Sequence, residues 1–358
     1  MGDQDSIEVS LVKEQDLKSF ASGVLQSAGS SVEEANFVAD VLIEADLRGV
    51  ESHGVTRLPG YITMIERSLL NPSPKIKILR DSGATAAIDG DMGFGMLTAF
   101  KGMNMAMSKA KEFGLGAVTA SNMAHTGMVG YFTMHAASKG YIGMAMNNGP
   151  TIVPPYGGLT PTYATNPFSV AFPAFDNNPV VLDMATSMVA AGKLRLAAKK
   201  GESIPTGWGI DKEGNPTNDP DSVIHGGFLQ WAGGHKGFGL ATMVEILGGV
   251  LSGGLFGLSV PALVNFGQDP LIANGFYLAI DIEKFMPLEL FQQKISTLTE
   301  NVKSSKKIQG VDQIYMPGEP EFETKARRLA SGIPINVNVL NELKELSKKF
   351  ELNLEVLS

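Results

Sequence analysis

The sequence predicts an α/β or α+β fold with a strand-rich middle and helix-rich ends. The chain has 358 residues, of which 44% are hydrophobic and 18% are charged, and this content supports a sizeable core. Short apolar runs that are typical of strands occur at 84–88, 116–121, 141–146, 168–172, 180–184 and 275–280. Segments with helical spacing lie between several of them, at 97–113, 126–139, 188–200, 236–252 and 288–303. Such a mixture of strands and helices predicts helices that pack on a sheet.

Both chain ends are predicted to be helical. Ser31 precedes Glu34 by three residues, which is a capping-box signature, and the helix that begins there should run to about Arg48. Pro59 can open a short helix, because its missing N–H costs nothing in the first turn. The C-terminal segment 322–350 returns to helical spacing. We therefore expect two domains, a helical one from 1–80 with 315–358 and a mixed α/β one from 81–314.

Composition and charge exclude several classes of protein. The net charge of −8 disfavours non-specific binding to nucleic acid, and the absence of cysteine rules out disulfides, thiolate nucleophiles and cysteine-ligated metals. The acidic N-terminus is unlike a signal peptide, so we expect a cytoplasmic protein. The stretch 237–257 is long enough to span a bilayer, but Glu245 near its middle would be costly in lipid. We expect a buried helix followed by a glycine-rich turn there, and no membrane span.

The segment GVESHGVTRLPGY, residues 49–61, concentrates groups that suit a small carboxylate substrate. The imidazole of His53 can move a proton near neutral pH, and the guanidinium of Arg57 can grip a carboxylate with two parallel hydrogen bonds. Ser52 and Tyr61 add hydroxyl groups. The alternative interpretation is a structural loop, in which the histidine caps a helix end and Arg57 pairs with Glu51.

Two further polar positions follow strand-like runs. His125 lies between such a run and a helix, where the carboxyl ends of strands and free helix N–H groups often form sites. Asp183 ends the hydrophobic run 180–184 and could orient a histidine or accept a hydrogen bond from a ribose or an amide. For both residues a helix-capping role is the alternative. His135 falls inside the next helical segment, and we predict a structural role for it.

Three loop asparagines, Asn147, Asn148 and Asn166, supply amide donors and acceptors that suit either a pocket or ordinary turns. Lys236 sits beside glycines at a predicted helix start, which suits a phosphate clamp. The spacing of a P-loop is absent, and so is the dinucleotide fingerprint. On these patterns alone the chain is an enzyme-like α/β protein with a carboxylate pocket.

The ordered set of motifs resembles the malate/L-lactate dehydrogenase type 2 family. The matching segments are DLRGVESHGVTRLPGY (46–61), AHTGMVGYF (124–132), ATNPFSVAFP (164–173), VLDMATS (181–187), GWGIDKEGNPTNDP (207–220), GGHKGFGLA (233–241) and YMPGE (315–319). The resemblance implies an NAD- or NADP-dependent oxidoreductase whose cofactor-binding domain, with a mixed sheet, is not a Rossmann fold. It also implies a homodimer and no metal. A cofactor-binding domain that is not a Rossmann fold would account for the absence of the glycine-rich dinucleotide fingerprint.

The resemblance also implies roles for individual residues. His125 would exchange a proton with the substrate oxygen, and Ser52, His53 and Asp183 match a set that an imine-reducing branch uses as its proton relay. The substrate would be bound by Arg57, Tyr61 and Asn166. The cofactor would be contacted by Asn148, Asp183, Ala185, Lys236, Pro317, Gly318 and Glu319.

The implied reaction is hydride transfer between nicotinamide and the α carbon of a small 2-hydroxy or 2-oxo acid similar to malate or lactate. Reduction of a cyclic imine carboxylate by Ser52, His53 and Asp183 is one alternative. A pyridoxal-phosphate enzyme with a Schiff base on Lys236 is an alternative of another class. A carboxylate-binding protein without catalysis is a third.

Overall fold

The computed structural model describes residues 9–175 and 178–353. Its strands are β1 Val9–Val12, β2 Lys77–Ser82, β3 Thr85–Asp89, β4 Leu115–Met123, β5 Tyr141–Asn147, β6 Phe168–Phe172, β7 Val180–Met184, β8 Gly209–Ile210, β9 Pro216–Thr217, β10 Phe228–Leu229, β11 Ala273–Asp281 and β12 Ile333–Asn336. Its α-helices are α1 Glu14–Ser27, α2 Val32–Leu47, α3 Leu58–Glu66, α4 Gly95–Phe113, α5 Gly130–Ser138, α6 Ala191–Lys200, α7 Pro220–Ile224, α8 His235–Val244, α9 Leu288–Lys303, α10 Glu319–Ser331 and α11 Val337–Lys349.

A seven-stranded sheet forms the centre, with the strand order β2-β3-β4-β11-β5-β6-β7. Strands β3 and β4 run parallel, and the other neighbouring pairs run antiparallel. Helices α4 and α5 pack on this sheet and contribute buried apolar side chains to the main core. The predicted α/β class with a mixed sheet is therefore confirmed, and β6, β7 and α9 have the predicted bounds.

The two chain ends meet through a small sheet in which β1 pairs antiparallel with β12. The predicted capping box opens α2, since Ser31 Oγ accepts the Glu34 N–H at 3.2 Å and Glu34 accepts the Ser31 N–H at 3.0 Å. Pro59 lies in the first turn of α3, as predicted. Contacts of α2 with α10 and of α3 with α11 join the ends further. The proposed domain boundaries remain a prediction.

The segment 237–257 forms the end of α8, a π-helical continuation at Glu245–Val250 and a glycine-containing turn. Within residues 9–175 and 178–353, no helix has the length and apolar character needed to cross a membrane. The expected full burial is wrong for one face, since Ile246 is 51% and Leu251 is 58% exposed in the single chain. Glu245 itself is buried, because its carboxylate accepts hydrogen bonds from Asn148 and Asn166 in the interior.

Candidate active site

The loop that carries Ser52, His53 and Arg57 is wrapped around a buried aspartate, Asp46, at the end of α2. The Oδ2 atom of Asp46 accepts the Val55 N–H at 2.8 Å. A Cβ at Gly54 would lie 1.8 Å from Asp46 Oδ1, so only glycine allows this close approach. Asp46 therefore fixes the path of residues 51–57, which form two short 3₁₀ turns before α3 begins.

Burial raises the pKa of Asp46 to about 8, a result of desolvation that the hydrogen bond from Val55 only partly offsets. The folded state therefore binds this proton more tightly than the unfolded chain does. The contribution of this proton to the free energy of unfolding is complete below the pKa of the unfolded chain, about 4. It is lost as the pH rises through the pKa of the folded state, about 8.

Replacing Asp46 by asparagine should remove this pH dependence, because an amide does not titrate. The free energy of unfolding of Asp46→Asn relative to the wild type should rise from about pH 5 to about pH 9, with a slope of at most ~1.4 kcal/mol per pH unit. Differential scanning calorimetry measures it, and Asp312→Asn, at an exposed position, is the control. A difference that is constant with pH would show that Asp46 is ionised throughout.

Four of the predicted polar residues meet in one cluster. The Tyr61 hydroxyl lies 2.7 Å from Nδ1 of His125, and Ser52 Oγ lies 2.9 Å from Nδ1 of His53. The two imidazole rings stack with their centroids 5.3 Å apart and an interplanar angle of 23°. His125 follows the carboxyl end of β4 directly and precedes α5, which is the place that the sequence predicts.

The electrostatics of the cluster keep both imidazoles neutral. Burial, with the nearby His53 and Arg57, holds the pKa of His125 well below its usual value. Burial and Arg57 also lower the pKa of His53 to about 4. Burial raises the pKa of the Tyr61 hydroxyl, which stays protonated. The hydroxyl can donate to His125 Nδ1 or accept from it, depending on which tautomer the ring adopts.

Arg57 is held by contacts on two sides. Its Nε–H donates to the backbone oxygen of Ser52 at 2.6 Å, and its guanidinium lies 4.5 Å above the ring centre of Phe266. Glu51, the partner in the alternative interpretation, forms an ion pair with Arg328 at 2.5 Å. Phe266 was missed by sequence reasoning, because it lies in an irregular segment without periodic spacing.

A cavity of about 550 Å³ lies beside Ser52 and His53. It is lined further by Arg48, 50, 127–130, 134, 165, 167, 181–185, 190, 315–318, 320 and 321. Asp183 faces this cavity while its Oδ2 accepts the Gly130 N–H at 2.9 Å at the start of α5, so it does cap a helix. Desolvation by the surrounding protein, which the hydrogen bond from Gly130 only partly offsets, raises the pKa of the Asp183 carboxyl to about 6.

The cavity brings together some of the predicted cofactor residues and leaves others outside its lining. Asp183, Ala185, Pro317 and Gly318 line it. Lys236 is exposed in the first turn of α8. The carboxylate of Glu319 instead binds Lys303 at 2.5 Å and the Met316 N–H at 2.9 Å.

Two predicted ligand-contacting amides, Asn148 and Asn166, are buried, and both donate to Glu245, whereas the Asn166 Oδ1 atom has no hydrogen-bond partner among the described residues. The Asn148 amide donates to Glu245 at 3.0 Å and accepts the Asn274 N–H at 2.9 Å. The Asn166 amide donates to Glu245 at 2.7 Å and to the backbone oxygen of Ala241 at 2.9 Å. In the described structure both side chains face Glu245, and neither lines the cavity.

Comparison with known proteins shows similarity over almost the whole chain. A family model described as malate/L-lactate dehydrogenase matches residues 12–344. The chain belongs to the malate/L-lactate dehydrogenase family. A malate dehydrogenase of Pyrococcus horikoshii is 44% identical over 340 residues, which are 93% of each chain. The predicted family and the predicted hydroxy-acid dehydrogenase class with a nicotinamide cofactor are thereby confirmed.

Solved structures of this dehydrogenase family share the fold. Sulfolactate dehydrogenase from Methanocaldococcus jannaschii superposes with a TM-score of 0.90 at 37% identity, covering 97% of this chain and 99% of that one. A delta1-piperideine-2-carboxylate reductase from Pseudomonas syringae has a TM-score of 0.83 at 28% identity, covering 94% and 99%.

Proposed function

We propose that this dehydrogenase exchanges hydride between a nicotinamide cofactor and the α carbon of a small 2-hydroxy acid similar to malate or lactate. The observation that carries the proposal is the cluster in which Tyr61 binds His125 and the Arg57 cation lies close by. A fixed cation for a carboxylate and an imidazole for a proton are the two groups that this reaction requires of the protein. The 44% identity to a malate dehydrogenase supports this choice of substrate class.

The cavity beside His53 fits a nicotinamide cofactor. Its volume of about 550 Å³ and its mixed apolar and polar lining are typical of small-molecule sites. We propose that Asp183, Ala185, Pro317 and Gly318 hold NAD or NADP there, with Lys236 and Glu319 reaching its outer parts. When bound, the nicotinamide ring supplies or accepts the hydride. Asn148 and Asn166 would act indirectly, because Glu245 already occupies their amides.

The protein's own residues move the proton. In the oxidation direction the neutral His125 ring accepts the proton of the substrate hydroxyl at Nε2, while Nδ1 donates to the Tyr61 oxygen. In the reduction direction His125 returns this proton to the carbonyl oxygen. Nδ1 keeps its hydrogen in both states of the ring, so it donates to the Tyr61 oxygen throughout, and this hydrogen bond holds the imidazole in place. Arg57 fixes the carboxylate, so that the reacting carbon stays beside the histidine.

The lowered pKa of His125 predicts opposite pH profiles for the two directions. Oxidation needs the neutral ring, so its kcat/KM should be flat from about pH 7 to about pH 9 and should fall only below histidine's usual pKa of about 6.5. Reduction consumes a proton, so its rate should rise as the pH falls. Steady-state kinetics in both directions measure this, and an oxidation rate with an apparent pKa above about 7 would contradict the assignment.

A coupled absorbance assay tests the function itself. NADH and NADPH are each mixed with the enzyme and a panel of 2-oxo acids, with oxaloacetate and pyruvate first and sulfopyruvate next. We expect turnover with at least one of them. Ligand binding without turnover would favour the carboxylate-binding alternative. A yellow protein that borohydride bleaches would favour the pyridoxal-phosphate alternative, although the exposed Lys236 lies outside the cavity lining.

Reduction of a cyclic imine carboxylate is the second candidate. The hydrogen bond between Ser52 and His53 and the Asp183 carboxyl on the same cavity favour it, because all three side chains are of the kind that can transfer a proton to a ligand in that cavity. The same assay with delta1-piperideine-2-carboxylate decides between the candidates. Faster turnover of the imine than of every 2-oxo acid would make it the principal substrate.

We also propose that the dehydrogenase is a homodimer. Exposed apolar side chains follow one another along the π-helical segment and the turn after it, at Ile246, Val250, Leu251, Phe256 and Leu258. Contiguous apolar surface of this kind is typical of protein interfaces. Light scattering coupled to gel filtration measures the mass, and a monomer at micromolar concentration would contradict the proposal.

A further inference from the structure

We propose that Phe266 is a positioning residue, whose ring orients the Arg57 guanidinium for the substrate carboxylate. This inference rests on the proposed role of Arg57. It concerns the segment between the π-helical region and β11, which contains none of the motifs that carry the family resemblance.

The ring of Phe266 contacts both Arg57 and the hydrogen-bonded pair of Tyr61 and His125. The guanidinium carbon of Arg57 lies 4.5 Å from its centre. The ring also lies 5.7 Å from the Tyr61 ring and 6.2 Å from the His125 ring, the latter in an edge-to-face arrangement. One side chain thus contacts the proposed substrate-binding cation and the proposed proton-transfer pair at the same time.

Two glycines, Gly60 and Gly267, allow the Phe266 ring and its backbone to pack closely against α3. A Cβ at Gly60 in α3 would lie 2.3 Å from the Phe266 ring, so the glycine provides the space that the ring fills. Gly267 has a φ of +89°, a conformation that side chains disfavour, and a Cβ there would lie 3.0 Å from the Gly60 Cα. The Phe266 segment therefore lies directly against α3.

The turn around Phe266 is closed by Asp269. Its Oδ2 accepts the Val264 N–H at 2.9 Å and the Asn265 N–H at 2.7 Å. These two hydrogen bonds hold the pKa of the Asp269 carboxyl below its usual value. The carboxylate therefore stays ionised at neutral pH and keeps the turn closed, which fixes the position of the ring.

An aromatic face suits this position because it attracts a cation without neutralising it. The ring covers one face of Arg57 while Ser52 accepts from Nε, so the plane of the guanidinium is defined by two independent contacts. Orientation of this plane decides whether the guanidinium can meet a carboxylate with two hydrogen bonds.

The test compares Phe266→Leu, which keeps apolar bulk, with Phe266→Tyr, which keeps the aromatic face. Phe266→Leu should raise KM for the 2-oxo acid by about 3- to 30-fold, the range expected for one cation–π contact, with little change in KM for the cofactor. Phe266→Tyr should keep KM for the 2-oxo acid close to the wild-type value, because it retains the aromatic face. Phe285→Leu, at a position that is 71% exposed, is the matched control.

A second readout separates orientation of the cation from general damage to the site. The methyl ester of the 2-oxo acid lacks the carboxylate charge, so the Phe266→Leu change should not weaken binding of the ester. A distorted site would instead weaken binding of the acid and the ester alike. Binding of oxamate in the presence of cofactor, measured by calorimetry, should weaken by the same factor without requiring turnover. An unchanged oxamate affinity in Phe266→Leu would overturn the inference, even where the wild type reduces 2-oxo acids normally.

Discussion

Replacing His125 by asparagine should lower kcat by about 10²–10⁴-fold, the usual contribution of general acid–base catalysis. Asparagine can still form a hydrogen bond with the Tyr61 hydroxyl, but its amide cannot take up or release a proton near neutral pH. KM for the cofactor should change little, because the cavity lining does not include His125. Steady-state kinetics measure kcat with both substrates saturating and KM for the cofactor with the cofactor concentration varied.

The matched control for this experiment is His225→Asn, since that side chain is 74% exposed and directly follows α7, outside the cavity lining. It should retain full turnover. A His125→Asn enzyme with near-native turnover would remove His125 from the mechanism. In that case the neighbouring His53, whose ring stacks on His125, would be the next group to test.

The exchange Arg57→Lys should raise KM for the 2-oxo acid by about 10- to 100-fold, while kcat at saturation falls less. A lysine presents a single point charge and cannot form two parallel hydrogen bonds with a carboxylate. Loss of one charged hydrogen bond typically costs about 1.5–3 kcal/mol. The change also removes the Nε contact with the Ser52 oxygen and the stacking on Phe266.

Arg80→Lys on the exposed strand β2 is the control for a change of cation away from the site. It should leave KM unaltered. If Arg57→Lys bound the 2-oxo acid as well as the wild type does, the carboxylate would have to be held by another cation. The first candidate would then be Arg48, which lines the cavity and pairs with Glu44 at 2.7 Å.

Local signals in the sequence predicted much of the fold. The capping box at Ser31 and Glu34 needs only four consecutive residues, and the amphipathic spacing of α9 needs only its own sixteen. The pairing of β1 with β12 could not be predicted, because each strand has only four residues and its partner lies at the other end of the chain. The small sheet of β8, β9 and β10 was missed for a similar reason, since its strands have two residues each.

The roles of the site residues remain predictions, but part of the clustering of their side chains could be expected from short motifs. The motif 46–61 places Ser52, His53 and Tyr61 within a few residues, and the structure adds His125 from the end of β4. Burial of a loop amide cannot be read from a motif, so nothing in the sequence showed that Asn148 and Asn166 would face Glu245. For Asp46 the sequence contains one usable signal, the glycine at position 54 within a polar turn. That this glycine packs against the Asp46 carboxylate became visible only in the three-dimensional structure.

The central claim is that Arg57 holds the substrate carboxylate while His125 faces the reacting oxygen. The most direct measurement is a crystal structure of the enzyme with reduced nicotinamide cofactor and oxamate. We predict that the oxamate carboxylate lies on the Arg57 guanidinium and that His125 Nε2 lies within about 2.6–3.2 Å of the adjacent oxamate oxygen. Oxamate bound beside the cofactor, with its carboxylate on another cation and His125 beyond hydrogen-bond reach, would contradict the claim.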